Sequence, residues 1–276
     1  MFVWCYNFGV QNSIDNRRVV AERHKEILRR AAILRVVKVR ELSDDLGVHE
    51  MTIRRDLDRL AEDGLLERVH GGAQIAQQAS HEMDYRFRES HQAEAKRLIA
   101  QAALDFIHDG DTIALDPSTS AMALARLLTT RSVGAIVTSL ETAVELAARD
   151  VPLIVVGGTF DQPSRSFVGP LATQTLINLH PDKVFFSAKG FTPAAGFTDP
   201  NLAEAEASRA LIRTAAMKVA LMDHTKIGQV ALCSLVAAEE VDVVITDRQP
   251  EPVVTDAFSR ARVQLVVARL VEREDG

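Results

Sequence analysis

The chain has 276 residues, 47% hydrophobic and 25% charged, a length that suits one small domain plus one of conventional size. Its formal net charge of −6 excludes nucleic-acid binding by bulk charge, and its two cysteines, Cys5 and Cys233, have no companion at metal or redox spacing, which excludes a disulfide scaffold and a thiolate metal site. No run of 18 apolar residues exists for a membrane span and the opening MFVWCYNFGVQNSID lacks the basic start of a signal peptide, so a cytoplasmic protein without metal, cofactor or membrane is expected.

Residues 1–16 read as an extension in which Phe2, Trp4, Tyr6 and Phe8 alternate as in a short strand. Arg17 to Leu34 predicts a cation-rich helix with Ile27, Leu28 and Leu34 for the interior, and with Arg29, Arg30 and Arg35 facing phosphate or water. From Glu41 to Gly72 the pattern is two short helices across a tight turn, then a two-stranded wing. Leu42 and Leu46 lie i,i+4 on one helix, Gly47 breaks it, and Ile53, Leu57 and Leu60 form an i, i+4, i+7 stripe on the next. Counting 100° per residue from Ile53 puts Met51, Thr52, Arg55, Asp58 and Arg59 on the outward half, with Arg54 at its border. A helix that enters the major groove meets bases and phosphates with such a face, so Thr52, Arg54, Arg55 and Arg59 are candidate DNA contacts. Arg68 and His70 join them from the wing, where Gly71 and Gly72 allow close approach or a positive φ. The plainer alternative is a three-helix core whose arginines form a solvated face.

The run through Val39, Leu42, Gly47-Val48, Thr52-Ile53-Arg54-Arg55-Asp56-Leu57, Leu60, Gly64-Leu65-Leu66 and Arg68 to His70-Gly71-Gly72-Ala73 resembles the N-terminal winged helix of DeoR-type bacterial transcription regulators. One departure is His49, where the family usually places a serine before the recognition helix. Histidine is a poor N-cap, so a cost of about 1 kcal/mol is expected at this helix start unless another group caps it. From Arg17 to Ala73 there are 13 Lys/Arg against 11 Asp/Glu, leaving 19 against 27 in the remainder. A nearly neutral reader on an acidic body must rely on locally placed arginines and on pairing two or more readers, so a homodimer or homotetramer on a double-stranded DNA operator is expected.

After a polar linker, residues 75–92, the pattern becomes helix and buried strand in alternation. Helix 93–107 precedes a strand at Thr112 to Leu115; helix 119–128 a strand at Ala135 to Thr138; helix 141–148 a strand at Leu153 to Val156. Further strands are predicted at Lys183 to Ser187, Lys218 to Met222, Val241 to Thr246 and Gln264 to Val267. Continuous apolar strands divided by helices indicate one α/β domain, residues 93–276, with a mostly parallel sheet covered on both faces. Ligands of such sheets bind beyond the strand C-termini. There stand Asp116, with Ser118, Thr119 and Ser120 as a phosphate cradle or a simple N-cap; Lys189; and Asp223 with Lys226, a phosphate partner or a structural ion pair.

This body is similar to the effector domain of the same family, related in fold to ribose-5-phosphate isomerase and glucosamine-6-phosphate deaminase. The matching residues are Asp109-Gly110-Asp111, Leu115-Asp116 with Thr119-Ser120, Val137-Thr138, Gly157-Gly158, Gly169, Asp182 with Phe185, Lys189-Gly190 with Gly196, Asp223 with Lys226 and Gly228, and Thr246-Asp247. In the family a glycine follows Asp116 by two positions, and here Ser118 stands in its place. The resemblance implies a sequence-specific DNA-binding regulator, most often a repressor, with residues 17–74 as reader and a phosphorylated sugar as effector. The alternative is a sugar-phosphate isomerase with an appended DNA-binding module, its proton transfer resting on Asp116, Asp223 and Lys226. Against it, His224 alone among the strand-end loops sets a histidine beside an acid.

Overall fold

The computed structural model describes residues 20, 22–24, 26–28, 30–31, 34, 36–63, 65–75, 85–128 and 132–269. The expected 1–16 extension, Arg29, Arg35 and linker residues 76–84 lie outside the described residues. The chain divides into two compact units, Met1–Asp84 and Tyr85–Gly276, so residues 85–92 of the expected linker belong with the second unit.

In the first unit the described residues between 20 and 34 are helical (α1). Then follow β1 (Val36–Lys38), α2 (Val39–Leu46), α3 (Glu50–Glu62), β2 (Leu66–Val69) and β3 (Gly72–Ile75). Ile27, Val37, Val39, Leu42, Ile53, Leu57, Leu60, Leu66 and Ala73 form one apolar core, which is where the periodic stripes of α2 and α3 place their side chains. Leu34 departs from its expected interior place and is 61% exposed, because the helix gives way to β1 within two residues. The wing is three-stranded in the order β1-β3-β2, all antiparallel, rather than the two strands expected.

The second unit opens with helical residues 85–90 (α4) and α5 (Ala93–Ala103). Seven strands, β4 (Thr112–Leu115), β5 (Gly134–Val137), β6 (Leu153–Val155), β9 (Lys183–Phe186), β12 (Met217–Leu221), β14 (Val243–Thr246) and β15 (Gln264–Val267), form one parallel sheet in the order β15-β14-β12-β9-β4-β5-β6. These are the seven expected from the sequence. Alternate strand residues point to opposite faces. Ile113, Leu115, Val137, Phe185, Leu221 and Ile245 pack with α5, α6 (Thr119–Ala125) and α7 (Leu140–Ala147). Ala114, Ile136, Val184, Phe186, Ala220 and Val244 pack with α8 (Pro170–Leu176), α9 (Leu202–Thr214) and α10 (Pro252–Arg260). A hairpin, β7 (Thr159–Asp161) with β8 (Ser166–Val168), and a small antiparallel sheet, β10 (Gly190–Thr192), β11 (Gly196–Asp199) and β13 (Cys233–Val236), stand apart from this sheet.

From β4 the chain winds outward through β5 to β6, then returns to the other side of β4 and winds outward through β9, β12, β14 and β15. The direction reverses between β4 and β9. A crevice forms at such a reversal, because the loops leaving the two strands run to opposite faces. Asp116 and Ser187 follow the ends of these two strands.

Candidate functional site

In the first unit, Gly47 ends α2 in the left-handed conformation, φ 63°, which a glycine adopts without a Cβ penalty. Two residues later His49 is the N-cap of α3, and its ring Nδ1 accepts a hydrogen bond from the Met51 amide at 3.2 Å. The cost expected from replacing serine is therefore offset by the histidine itself. Ile53, Leu57 and Leu60 face inward, while Met51, Arg54, Arg55, Asp58 and Arg59 are exposed and Thr52 is half-buried. Arg54 leans on Glu50 at 3.3 Å, one turn back, and both side chains are about half exposed. Such an exposed pair stabilises little, so Arg54 can turn to another acceptor at small cost.

The wing holds its cation more firmly. Arg68 Nη1 donates to the Gly72 carbonyl at 2.7 Å and its Nε lies 2.9 Å from Asp58 Oδ1, which fixes the wing against α3. His70 is exposed at the hairpin turn. The two glycines serve different ends: Gly71 has φ 75°, whereas a Cβ on Gly72 would sit 2.0 Å from the Val37 carbonyl oxygen of β1. The third strand fits only because Gly72 has no side chain.

Asp56 escaped the sequence reading. It is 4% exposed, on the inner side of α3, and its carboxylate takes Arg23 Nε at 2.6 Å, Arg23 Nη2 at 3.2 Å and His24 Nε2 at 3.0 Å. Burial pushes this carboxyl up, yet the hydrogen bonds and charges of Arg23 and His24 prevail and hold it below the ordinary carboxylate value. The bonds fasten α1 to the helix that carries the exposed arginines. A charged residue next to Leu57 within an otherwise outward polar set gave the only sequence signal.

In the second unit Asp116, just past β4, is 3% exposed. Its Oδ1 accepts from the Ser118 amide at 3.1 Å and hydroxyl at 2.5 Å, and its Oδ2 from the Ser187 amide at 2.8 Å. It thus ties the two sides of the reversal together. Burial, opposed by these bonds and by Lys189, raises it above the usual carboxylate range. Ser118 is the N-cap of α6, accepting from the Ala121 amide at 3.1 Å, and Thr119 Oγ1 lies 3.3 Å from the Arg88 carbonyl oxygen. Ser120 Oγ is fully buried and has no hydrogen-bond partner. Of the three hydroxyls expected to cradle a phosphate, that of Ser118 is engaged with Asp116 in the loop and that of Thr119 with the Arg88 carbonyl of α4.

Lys226 reaches the same place from the turn after β12. Its Nζ donates to Ser187 Oγ at 2.8 Å and lies 3.3 Å from Asp223 Oδ2. Burial lowers its affinity for the proton, Asp223 opposes, and Lys189 adds to the lowering. Asp223, buried itself, is held below the ordinary carboxylate value by Lys226 and Thr225 in spite of burial. Lys189 is half-buried, and its charge acts on Asp116, Lys96, Lys226 and Glu204. His224, in the same turn, is occupied with Asp247, Nδ1 to Oδ2 at 2.7 Å.

Two further groups complete the cluster, and neither was among the sequence candidates. Lys96 of α5 is 5% exposed; burial and the nearby Lys226 and Lys189 lower it to about 8, against the pull of Asp223. Glu204 of α9 is nearly buried, and burial, with Asp199 close by and Lys189 opposing, raises it well above the ordinary carboxylate range. Both were legible in principle: Lys96 stands three residues before Ile99 on the apolar stripe of α5, and Glu204 three before Ala207 on that of α9. The crevice therefore gathers Lys96, Lys189 and Lys226 with Asp116, Asp223, Glu204 and Asp199. Three ammonium groups that act on one another in a largely buried place attract an anion, and carboxylates among them accept hydroxyl protons.

Residues 23–79 match the family description "DeoR-like helix-turn-helix domain" and residues 91–248 match "DeoR C terminal sensor domain". The chain belongs to the DeoR family. It is 33% identical over 256 residues to the uncharacterized HTH-type transcriptional regulator YulB of Bacillus subtilis, covering 92% of this chain and 99% of that one. It is 36% identical over 234 residues to the HTH-type transcriptional regulator GolR of Listeria innocua, covering 84% and 92%. With the lactose phosphotransferase system repressor of Staphylococcus epidermidis the identity is 33% over 215 residues, covering 76% and 85%. Among solved structures, ribose 5-phosphate isomerase A of Methanocaldococcus jannaschii is similar at 18% identity and a TM-score of 0.38, over 49% of this chain and 54% of that one. Membership in the DeoR family makes this chain a DNA-binding regulator of transcription rather than an enzyme. Among the described residues no helix is long and apolar enough to cross a membrane.

Proposed function

We propose that this DeoR-family regulator is a cytoplasmic repressor whose second unit senses a phosphorylated sugar or a close relative of one. The observation that carries the reading is the convergence of Lys96, Lys189 and Lys226 with four carboxylates at the reversal between β4 and β9. A phosphate requires cations and sugar hydroxyls require acceptors, and this crevice supplies both. Lys226 and Lys189 take the phosphate charge, and Asp223 and Glu204 take hydroxyls. Asp116 and Ser118 hold the loop in shape, because their own polar atoms are already bonded to one another and to Ser187.

On DNA, Thr52, Arg54, Arg55 and Arg59 face the groove, and Arg68 and His70 flank it from the wing. Residues 17–73 are nearly balanced in charge, so specific binding needs at least two copies on repeated half-sites, in a homodimer or homotetramer. Relatives named for sugar systems, among them the lactose phosphotransferase system repressor, support the ligand class. The test is a thermal-shift panel of pentose and hexose phosphates on the full chain, followed by DNA titration with any that bind. A melting-temperature rise with one or a few of them, together with weakened DNA binding and no turnover, is expected. No effect of any sugar phosphate on either measurement would remove the reading, and sedimentation of the chain as a monomer would remove the pairing.

A further inference from the structure

Lys96 has two sets of neighbours. On one side its charge is felt in the crevice, among Lys226, Asp223 and Lys189. On the other its ammonium donates to the carbonyl oxygens of Arg88 and His91, the latter at 2.7 Å. Arg88 lies in the last turn of α4 and His91 follows its end directly, where the last carbonyls of a helix have no partner within the helix. A cation there completes the helix and complements its dipole.

Helix α4 is also the first described segment after linker residues 76–84, which lead from the DNA-reading unit. Other ties of α4 to the body include Arg88 Nη2 to the Pro163 carbonyl at 2.9 Å, Thr119 Oγ1 to the Arg88 carbonyl at 3.3 Å, and Glu89 to Arg126 at 2.6 Å, and Tyr85 is buried. Of this set, Lys96 and Arg88 also act by charge on groups of the crevice, and Lys96 is the one whose ammonium bonds the helix end.

We propose that Lys96 couples the crevice to the linker: an anionic effector competes with the carbonyl oxygens of Arg88 and His91 for its ammonium, so that filled and empty crevices hold the end of α4 differently. A phosphate oxygen is a charged acceptor and a carbonyl a neutral one, so the bond to the anion is the stronger. When Nζ turns to the anion, the Arg88 and His91 carbonyls both lose this charged donor. The end of α4 loosens, and the constraint on the linker changes with it. Reciprocity then requires that whatever holds α4 in place, DNA included, weakens the anion by the same factor. This inference rests on the reading that the crevice takes an anionic effector.

The experiment is hydrogen–deuterium exchange of the full chain, read at residues 85–92, with melting temperature recorded in parallel. The probes are inorganic phosphate, ribose 5-phosphate, glucose 6-phosphate and fructose 1-phosphate, each against buffer. A probe that raises the melting temperature is expected to speed exchange at 88–92 roughly tenfold, the scale of one lost charge-assisted hydrogen bond. Lys96→Met is expected to exchange fast there without a probe and to show no further change with one. Lys96→Gln keeps a donor for the carbonyls but not the charge; it should exchange nearly as slowly as the natural chain, bind the probe at least roughly tenfold more weakly and leave α4 unresponsive. If Lys96→Met does not fold, the natural chain and Lys96→Gln still decide. A probe that binds yet leaves exchange at 88–92 unchanged, or a Lys96→Gln chain that responds as the natural one does, overturns the coupling alone. Absence of a melting shift with every probe overturns the effector reading, and the coupling falls with it.

Discussion

Replacing Asp56 with Ala removes the acceptor for three hydrogen bonds, two from Arg23 and one from His24, at a place where the carboxylate is 4% exposed. The Arg23 side chain is itself only 13% exposed, so it is left charged, largely buried and without this partner. Breaking a buried pair in this way costs about 3–5 kcal/mol when both partners are fully enclosed. Arg23 and His24 retain some access to water, and about 2–4 kcal/mol is the expected loss. A unit of this size has a total stability of only about 3–5 kcal/mol from its core. The first unit of Asp56→Ala is therefore expected to be substantially unfolded near 25 °C while the second stays folded. Urea denaturation followed by circular dichroism would read this as an early transition that accounts for the first unit's helices, absent in the natural chain. The double replacement Arg23→Met with Asp56→Leu, which substitutes packing for the pair, should recover much of the loss. Acid should act in the same direction: Asp56 is held below the ordinary value of 3.8, so its stabilisation is complete above that pH and is lost as pH falls through the lower folded value. A first unit that loses less than about 1 kcal/mol in Asp56→Ala would show that the link between α1 and α3 is not what stabilises it.

Three other substitutions test separate parts of the account. Gly72→Ala places a Cβ within 2.0 Å of the Val37 carbonyl and should cost the first unit about 2 kcal/mol or more by chemical denaturation, with β1 displaced. His49→Ala should cost about 0.5–1 kcal/mol and His49→Ser almost nothing, since the ring already caps α3 and serine caps equally well. Lys226→Ala should weaken an effector phosphate by about 1.5–3 kcal/mol in calorimetry, leaving DNA affinity without effector nearly unchanged, and should lower the melting temperature of the second unit because Asp223 loses its cation.

The large parallel sheet was legible because each of its strands is a continuous apolar run between polar turns, as in Thr112 to Leu115 or Val241 to Thr246. The short strands β1, β7, β8 and β10 were not, since three residues of mixed polarity display neither an apolar run, as Leu153–Val155 does, nor a period of two against chance. The helix stripe at Ile53, Leu57 and Leu60 predicted its buried face, but Leu34 belongs to a helix end whose chain turns away into β1. At the crevice, residues just after the strands were found because topology alone points there: Asp116, Lys189, Asp223 and Lys226. Lys96 and Glu204 enter from the buried faces of helices, and their role depends on which helix covers the reversal. His49 shows the same limit at small scale, since its capping bond depends on a ring orientation that propensity does not contain.

The central claim is that the exposed arginines of α3 read DNA in a regulator whose second unit senses. The most direct measurement is fluorescence anisotropy of the full chain on a duplex selected from a random library by the natural protein, alongside the double substitution Arg54→Ala with Arg55→Ala. Both arginines are exposed and neither supports the core, so the double variant should keep its melting temperature and its response to effector. The account predicts that it loses selective binding to the duplex, by about 2–6 kcal/mol if each arginine reads one base or phosphate pair. Tight, selective binding retained by the double variant would contradict it.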